Sequence, residues 1–286
     1  MQTLPNVLTF NPGPWGEVEK FAQFFAQTYP DFKPDTRKAV SGVSAHFNKA
    51  LVLLSLARKL APNLVIDAAE LQEQGFTPAA NAGEFAAVVE AIFLELYSAI
   101  DCARKVIVAI YRKCRGIPDS TRKLFARLAN GEVDNFPGTL RAAFLAAPWY
   151  DELRDIRDEL THASTGACHL SPSDAAISYI HQGLVRDKRP LVVPDVLGKI
   201  DQMVAGVNQF LGAVYHHLNA DLNKEPAMAV CGLFQGRIYV RYLTIEDRID
   251  LHSGVCDSRT WFDNEPDRRC PFATGCRAYA RASGTV

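Results

Sequence analysis

Apolar residues recur at helical spacing through most of the first 220 positions, and the pattern then turns to strand-like alternation. Val18, Phe21, Phe24 and Phe25 predict a helix over 15–29 that Pro30 ends. An Ala- and Leu-rich stretch predicts another over 40–60, stopped before Pro62. The longest is predicted over 82–115, where Val89, Phe93, Leu96, Ile100, Ala103, Ile107 and Ile110 alternate steps of four and three. Gly116 and Pro118 close it, and at 1.5 Å per residue it would be about 50 Å long, enough for the spine of a bundle. Shorter helices are predicted over 121–129 and 138–146, around the Asn130-Gly131 break. Leu153, Ile156 and Leu160 mark a helix over 149–162 whose other positions are mostly charged. Residues 175–181 and 191–193 form a short hairpin signal. Pro194-Asp195 then open a last long helix with the stripe Val196, Ile200, Val204, Val207, Leu211, Val214 and Leu218. After Asn223, residues 227–233 and 237–244 flank the turn Phe234-Gln235-Gly236, and Ile238, Val240 and Tyr242 alternate with Tyr239, Arg241 and Leu243.

This pattern predicts a mainly α protein: an N-terminal helical segment (1–80), a helical bundle (81–222) and a small C-terminal β/loop, Cys-bearing module (223–286). The tail from 247 onward has little periodicity and needs a staple, or docking on helices, to become ordered. A hydrophobic fraction of 48% over 286 residues is that of a globular chain. With 31 basic and 32 acidic residues the net charge is −1, so any nucleic-acid binding has to come from a local surface. No run approaches the roughly 18 apolar residues that span a bilayer. Residues 1–14 hold no Lys or Arg and no long apolar core, unlike a secretory signal. The expectation is a cytoplasmic protein that does not meet a membrane.

Candidate chemistry concentrates in Arg157-Asp158-Glu159-Leu160-Thr161-His162. An Arg, then Asn, Asp or His, then three residues and then a His, on a helix of an α-bundle, is the pattern of the HEPN superfamily. The hexad resembles it, and Leu96-Tyr97-Ser98-Ala99-Ile100-Asp101 resembles part of that family's early long helix. The resemblance covers about residues 80–220. It implies a HEPN-like bundle, a homodimer whose motif helices face each other, and metal-independent RNA cleavage. The residue types suit that chemistry. The RNA 2′-hydroxyl serves as nucleophile, His162 transfers protons near neutrality, and Arg157 offers a planar cation to the phosphorane-like charge. Asp158, four positions before His162, is placed to orient the imidazole. Simpler roles exist for the same residues. Arg157 can pair with Asp151, Asp155 or Asp158 on a charged helix, and His162 can bond the last carbonyls. The alternative function is a non-catalytic dimeric interaction or regulatory protein with a structural metal-binding tail.

Seven cysteines, an odd number, do not make a fully paired disulfide framework. Cys231, Cys256, Cys270 and Cys276 lie in the last 56 residues with 24, 13 and 5 residues between them. Those gaps do not match a zinc ribbon, yet four thiolates from a hairpin and its loops can converge on one metal. Structural zinc is expected ahead of an iron–sulfur cluster, with His252 as a spare ligand. The alternatives are ordinary buried thiols or a Cys270–Cys276 disulfide. Trp261-Phe262 with Arg259 and Arg268-Arg269 could stack single-stranded nucleic acid, or simply cover a core.

Overall fold

The computed structural model describes residues 7–8, 16–162, 164–171, 175–186, 189–246, 248–262 and 264–282. Most of the stretch read for a secretory signal, and the last four residues of the tail, lie outside them. In chain order the elements are β1 (Val7–Leu8), α1 (Glu17–Thr28), α2 (Pro34–Leu60), α3 (Leu64–Gln74), α4 (Ala80–Ile110), α5 (Thr121–Ala129), α6 (Gly138–Leu145) and α7 (Tyr150–His162). Then come β2 (Ala167–Leu170), β3 (Ile177–Arg186), β4 (Arg189–Val193), α8 (Val196–Asn219), β5 (Ala227–Phe234), β6 (Arg237–Leu243), β7 (Val255–Cys256), α9 (Ser258–Phe262) and α10 (Arg277–Arg281). They fold as two units: residues 33–214, and residues 1–32 with 215–286.

The first unit is built on α4. Its apolar stripe, including Val89, Phe93, Leu96, Ile100 and Ile107, is buried at 1% exposure or less. Burying each such side chain contributes about 1.5 to 3 kcal/mol before conformational entropy is subtracted. Helix α2 starts with Pro34 in its first turn and carries Arg58 and Lys59 in its last, each suited to its end of the helix dipole. It runs antiparallel to α4: a Cβ on Gly42 would lie 2.8 Å from Cys102 Sγ, and His46 reaches Glu95 at 2.6 Å. Arg104 ties α4 to α5, donating to Asp119 at 2.7 Å and to Asp101 at 2.9 Å. Strands β2, β3 and β4 form a three-stranded antiparallel sheet, with Cys168 opposite Tyr179 and Tyr179 opposite Val193.

In the second unit β1, β5, β6 and β7 form a four-stranded antiparallel sheet in that order. The β5–β6 hairpin turns through Gln235 and Gly236, whose φ angles of 48° and 74° make the two-residue connection that matches strand twist. Helix α1 lies against β5, where Gln23 and Gln27 donate to the carbonyls of Met228 and Pro226, each at 2.9 Å. Phe21 and Phe24 fill the space beneath it, with Tyr215 edge-on to Phe21 at 5.2 Å.

The expected fold class, a mainly α bundle of HEPN-like type, is corrected by these sheets. More than half of the described residues are helical, but the 81–222 stretch also builds a full antiparallel sheet. Every second residue of β3 from Ile177 to His181 points inward, and Tyr179 packs its ring 6.2 Å from Phe93 of α4. The core is therefore shared between helix and strand side chains, and the fold is α with two small β-sheets. Among the described residues no helix is long and apolar enough to cross a membrane.

Candidate functional site

Helix α7 buries Tyr150, Leu153 and Ile156 and leaves Leu160 partly covered. The opposite positions are charged, and most are engaged. Arg154 bonds Asp151 and Asp155, and Glu152 bonds Lys199 at 2.6 Å. The Arg157 guanidinium lies 4.8 Å over the Tyr97 ring of α4 and donates to Asp158 at 2.9 Å, with its side chain still 33% exposed. A cation held by a ring and a carboxylate keeps one edge free for an anion. His162 is exposed at the end of the helix. Asp158 serves Arg157, and among the described residues no hydrogen bond joins Asp158 to His162.

The chain leaving α7 is fixed by β3. The Ser164 amide donates to the Glu159 carbonyl and its hydroxyl to the Glu159 carboxylate at 3.1 Å. His181, fully buried, donates from Nε2 to the Ser164 carbonyl at 2.9 Å. Its Nδ1 is buried with no hydrogen-bond partner among the described residues. A Cβ on Gly183 would meet the Glu159 carboxylate and the Ser164 hydroxyl, so these side chains come close to the strand there.

Two cavities of about 470 Å³ lie elsewhere in this unit. One is bordered by Arg58, Pro62, Leu170 and Asp195. The other is bordered by Asp67, Leu71, Ala86, Glu90, Gly166 and His169. Neither includes a side chain of α7. Glu90 accepts from the Gly166 amide at 2.6 Å and from the Tyr179 hydroxyl at 3.1 Å. Burial, then the Glu90 charge, pushes the Tyr179 phenol up, so it stays protonated and donating. No sequence signal marks Glu90, a single carboxylate beside the apolar stripe of α4.

Of the four C-terminal cysteines, Cys231 and Cys276 both lie near the Arg241 guanidinium. Cys231 sits where the β5–β6 register shifts, between Val230 and Gly232, and Cys256 of β7 pairs with Arg241 of β6. Cys276 caps the start of α10. Arg241 is 3% exposed; its Nε lies 2.8 Å from Cys231 Sγ and its Nη2 3.8 Å from Cys276 Sγ. Its Nη1 donates to the carbonyls of Leu251 and Ser253. Burial pushes the Cys231, Cys256 and Cys270 thiols up, Cys256 to about 11. Charge on Cys276 raises all three further, charge on Cys231 raises Cys256 and Cys270, and charge on Cys270 raises Cys256. Arg241 pulls Cys231 and Cys270 back down. Among the described residues no group of three or more His, Cys, Asp or Glu side chains is arranged to hold a single metal ion. Arg241 had a readable signal: it falls on the buried phase of its strand, between Tyr239 and Leu243.

The aromatic and basic residues of the tail mostly hold this module together. Arg259 lies 4.6 Å over the Tyr279 ring and donates to the Tyr279 carbonyl, Arg269 lies 5.2 Å over the same ring, and Phe262 packs on Tyr239. Trp261 is strongly exposed, at 71%, and Arg268 and Arg269 are exposed as well. No family model, curated protein or solved structure matches the chain.

Proposed function

We propose that the end of α7 carrying Arg157 and His162 contributes to a metal-independent RNA-cleaving site, completed by a second copy of the chain. The observation that carries this reading is the Arg157 guanidinium, anchored on Tyr97 and Asp158 yet one-third exposed, on the helix that ends in exposed His162. The hexad's likeness to the HEPN motif adds support. In the reaction the RNA 2′-oxygen bonds to phosphorus, the bond to the 5′-oxygen breaks, and a cyclic 2′,3′-phosphate remains. The His162 imidazole takes the 2′-hydroxyl proton, and water gives a proton to the departing 5′-oxygen. Arg157 stabilises the extra charge on the phosphoryl oxygens, as a fixed bidentate donor does in a transition state.

The test is cleavage of end-labelled RNA in excess EDTA. Wild type should leave cyclic phosphate ends. His162→Ala should slow cleavage by about a hundredfold or more, the usual contribution of a proton-transfer group. Arg157→Ala should do so by a similar factor. Both variants should keep the circular dichroism of wild type. Cleavage that persists in the purified double variant overturns the reading.

The alternative, a non-catalytic dimeric interaction protein, draws on a different observation. Helices α2 and α3 expose Val52 at 68%, Val65 at 59% and Leu71 at 52%. Exposed apolar side chains mark an association surface where they form one contiguous patch. A dimer in sedimentation analysis that survives Arg157→Ala and His162→Ala but binds and cleaves no RNA would favour that reading.

A further inference from the structure

Strands β5 and β6 read as nearly continuous apolar runs, Ala227-Met228-Ala229-Val230-Cys231-Gly232-Leu233-Phe234 and Ile238-Tyr239-Val240-Arg241-Tyr242-Leu243. Such runs belong to strands covered on both faces, whereas a sheet with one face in water alternates apolar with polar residues. Residues directly opposite each other share a face, so the register sorts them. Ala227, Ala229, Tyr239, Arg241 and Leu243 form the inner face and are buried. On the other face Met228 stands opposite Tyr242, Val230 opposite Val240 and Leu233 opposite Ile238, and Tyr242 pairs in turn with Val255 of β7. These outer positions are all aliphatic or aromatic, with no charge among them. Met228 and Ile238 are each 59% exposed, Val255 46%, Tyr242 45% and Val230 44%.

We propose that two copies of the chain pack against each other through this outer face of the β5–β6–β7 sheet. Area and charge both choose a second copy as the occupant. The exposed fractions amount to about 500 Å² of contiguous apolar surface, as large as the largest patches that monomers keep. Two such faces together cover about 1,000 Å², the lower bound for a specific interface, so the dimer should dissociate on dilution. A face without charged side chains is complementary to itself. A twofold axis sets it against its own copy and leaves no charge unpaired inside, which suits the apolar character of homodimer interfaces. Two sheets packed in this way lie about 10 Å apart with interdigitating side chains. The β5 side of the sheet is already engaged, by β1 and by Gln23 and Gln27 of α1 on the carbonyls of Met228 and Pro226. The open face, not that edge, is therefore the surface left for association.

The full chain in sedimentation velocity should pass from monomer to dimer as its concentration rises. Ile238→Lys should weaken that association at least about tenfold, because each copy then carries a charge into an apolar interface. Val52→Lys, at an exposed apolar position of α2 in the other unit, should leave it unchanged. Both variants should keep the circular dichroism of wild type.

Hydroxyl-radical labelling of the wild type gives a second reading that needs no substitution, and it decides if Ile238→Lys misfolds. Labelling of Met228 and Tyr242 should fall as the dimer forms. Trp261 should label equally throughout, because it lies on α9, whose Phe262 packs on Tyr239 of the inner face. A wild type that stays monomeric at every concentration overturns the proposal. So does a dimer that Ile238→Lys leaves intact, or one in which Met228 and Tyr242 label as they do in the monomer. This face lies in the second unit and none of these readouts involves RNA, so this proposal and the one for α7 fail separately.

Discussion

Asp67 shows how one carboxylate fixes the start of the main helix. Helix α4 opens from Ala79, held at a φ of 52°, and its own residues supply no side-chain cap. Asp67 of α3 fills the role. Its carboxylate accepts from the Asn81 side chain at 2.6 Å and from the Ala82 amide at 2.7 Å. Burial pushes this carboxyl up. The bonds from the Asn81 side chain and the Ala82 and Asn81 amides outweigh it and hold the group below the usual carboxylate range. A depressed carboxyl stabilises the fold at pH values above its unfolded pKa, near 3.9, and that contribution is lost as pH falls through the folded value. Asp67→Ala should therefore cost about 1 to 2 kcal/mol at neutral pH, the range for losing a helix cap. The gap from wild type should narrow below about pH 4. Denaturant midpoints for both proteins at neutral and acid pH check this. A gap that stays constant would mean Asp67 acts by packing and not by charge.

At the level of elements, β3 decides where α7 ends. His181 is fully buried and spends its Nε2–H on the Ser164 carbonyl, two residues beyond His162. His181→Phe keeps most of the volume and removes that donor, leaving a backbone carbonyl short of a partner at a cost of about 1 to 3 kcal/mol. Amide hydrogen exchange around residues 159–166 should rise, with α4 unchanged. If exchange at the α7 exit does not move, β3 does not position it. The same elements show how far the sequence could be read. Helix α7 was legible because Leu153 and Ile156 fall at helical spacing and the rest of the segment is charged. Helix α3 left no stripe, because Val65, Ile66 and Leu71 face solvent and only Leu64 and Asp67 are buried. The β2–β4 sheet was only half legible. A buried histidine and Gly183 interrupt the apolar alternation of β3, and a register shift between His181 and Val185 breaks its period. The bulge at Cys231 and the Arg241 guanidinium beside Cys231 and Cys276 depend on strand register, which the cysteine spacing does not reveal.

For the whole molecule the question is whether one chain can carry the proposed reaction. Arg157 and His162 are five residues apart on α7, which advances an α-helix by about 7.5 Å and turns it by about 140°. On one helix the two side chains leave on different faces, and Asp158 is occupied by Arg157 instead of orienting His162. The net charge of −1 supplies no long-range pull on RNA. A twofold pair of chains solves the geometry by setting Arg157 of one copy against His162 of the other, and symmetry then makes two such sites. This arrangement has a consequence that pairing within one chain does not share. Arg157→Ala and His162→Ala should each retain about a hundredth of wild-type activity or less on their own. When they are mixed and allowed to exchange, half the dimers are mixed, and each mixed dimer holds one site in which both partners are intact. Activity should return to about a quarter of wild type. If the two residues act within one chain, every site in the mixed dimer lacks one of them and the mixture stays at that low level. Cleavage rate, measured against the fraction of each variant mixed in, separates the two arrangements. It should peak at equal parts if the site is shared.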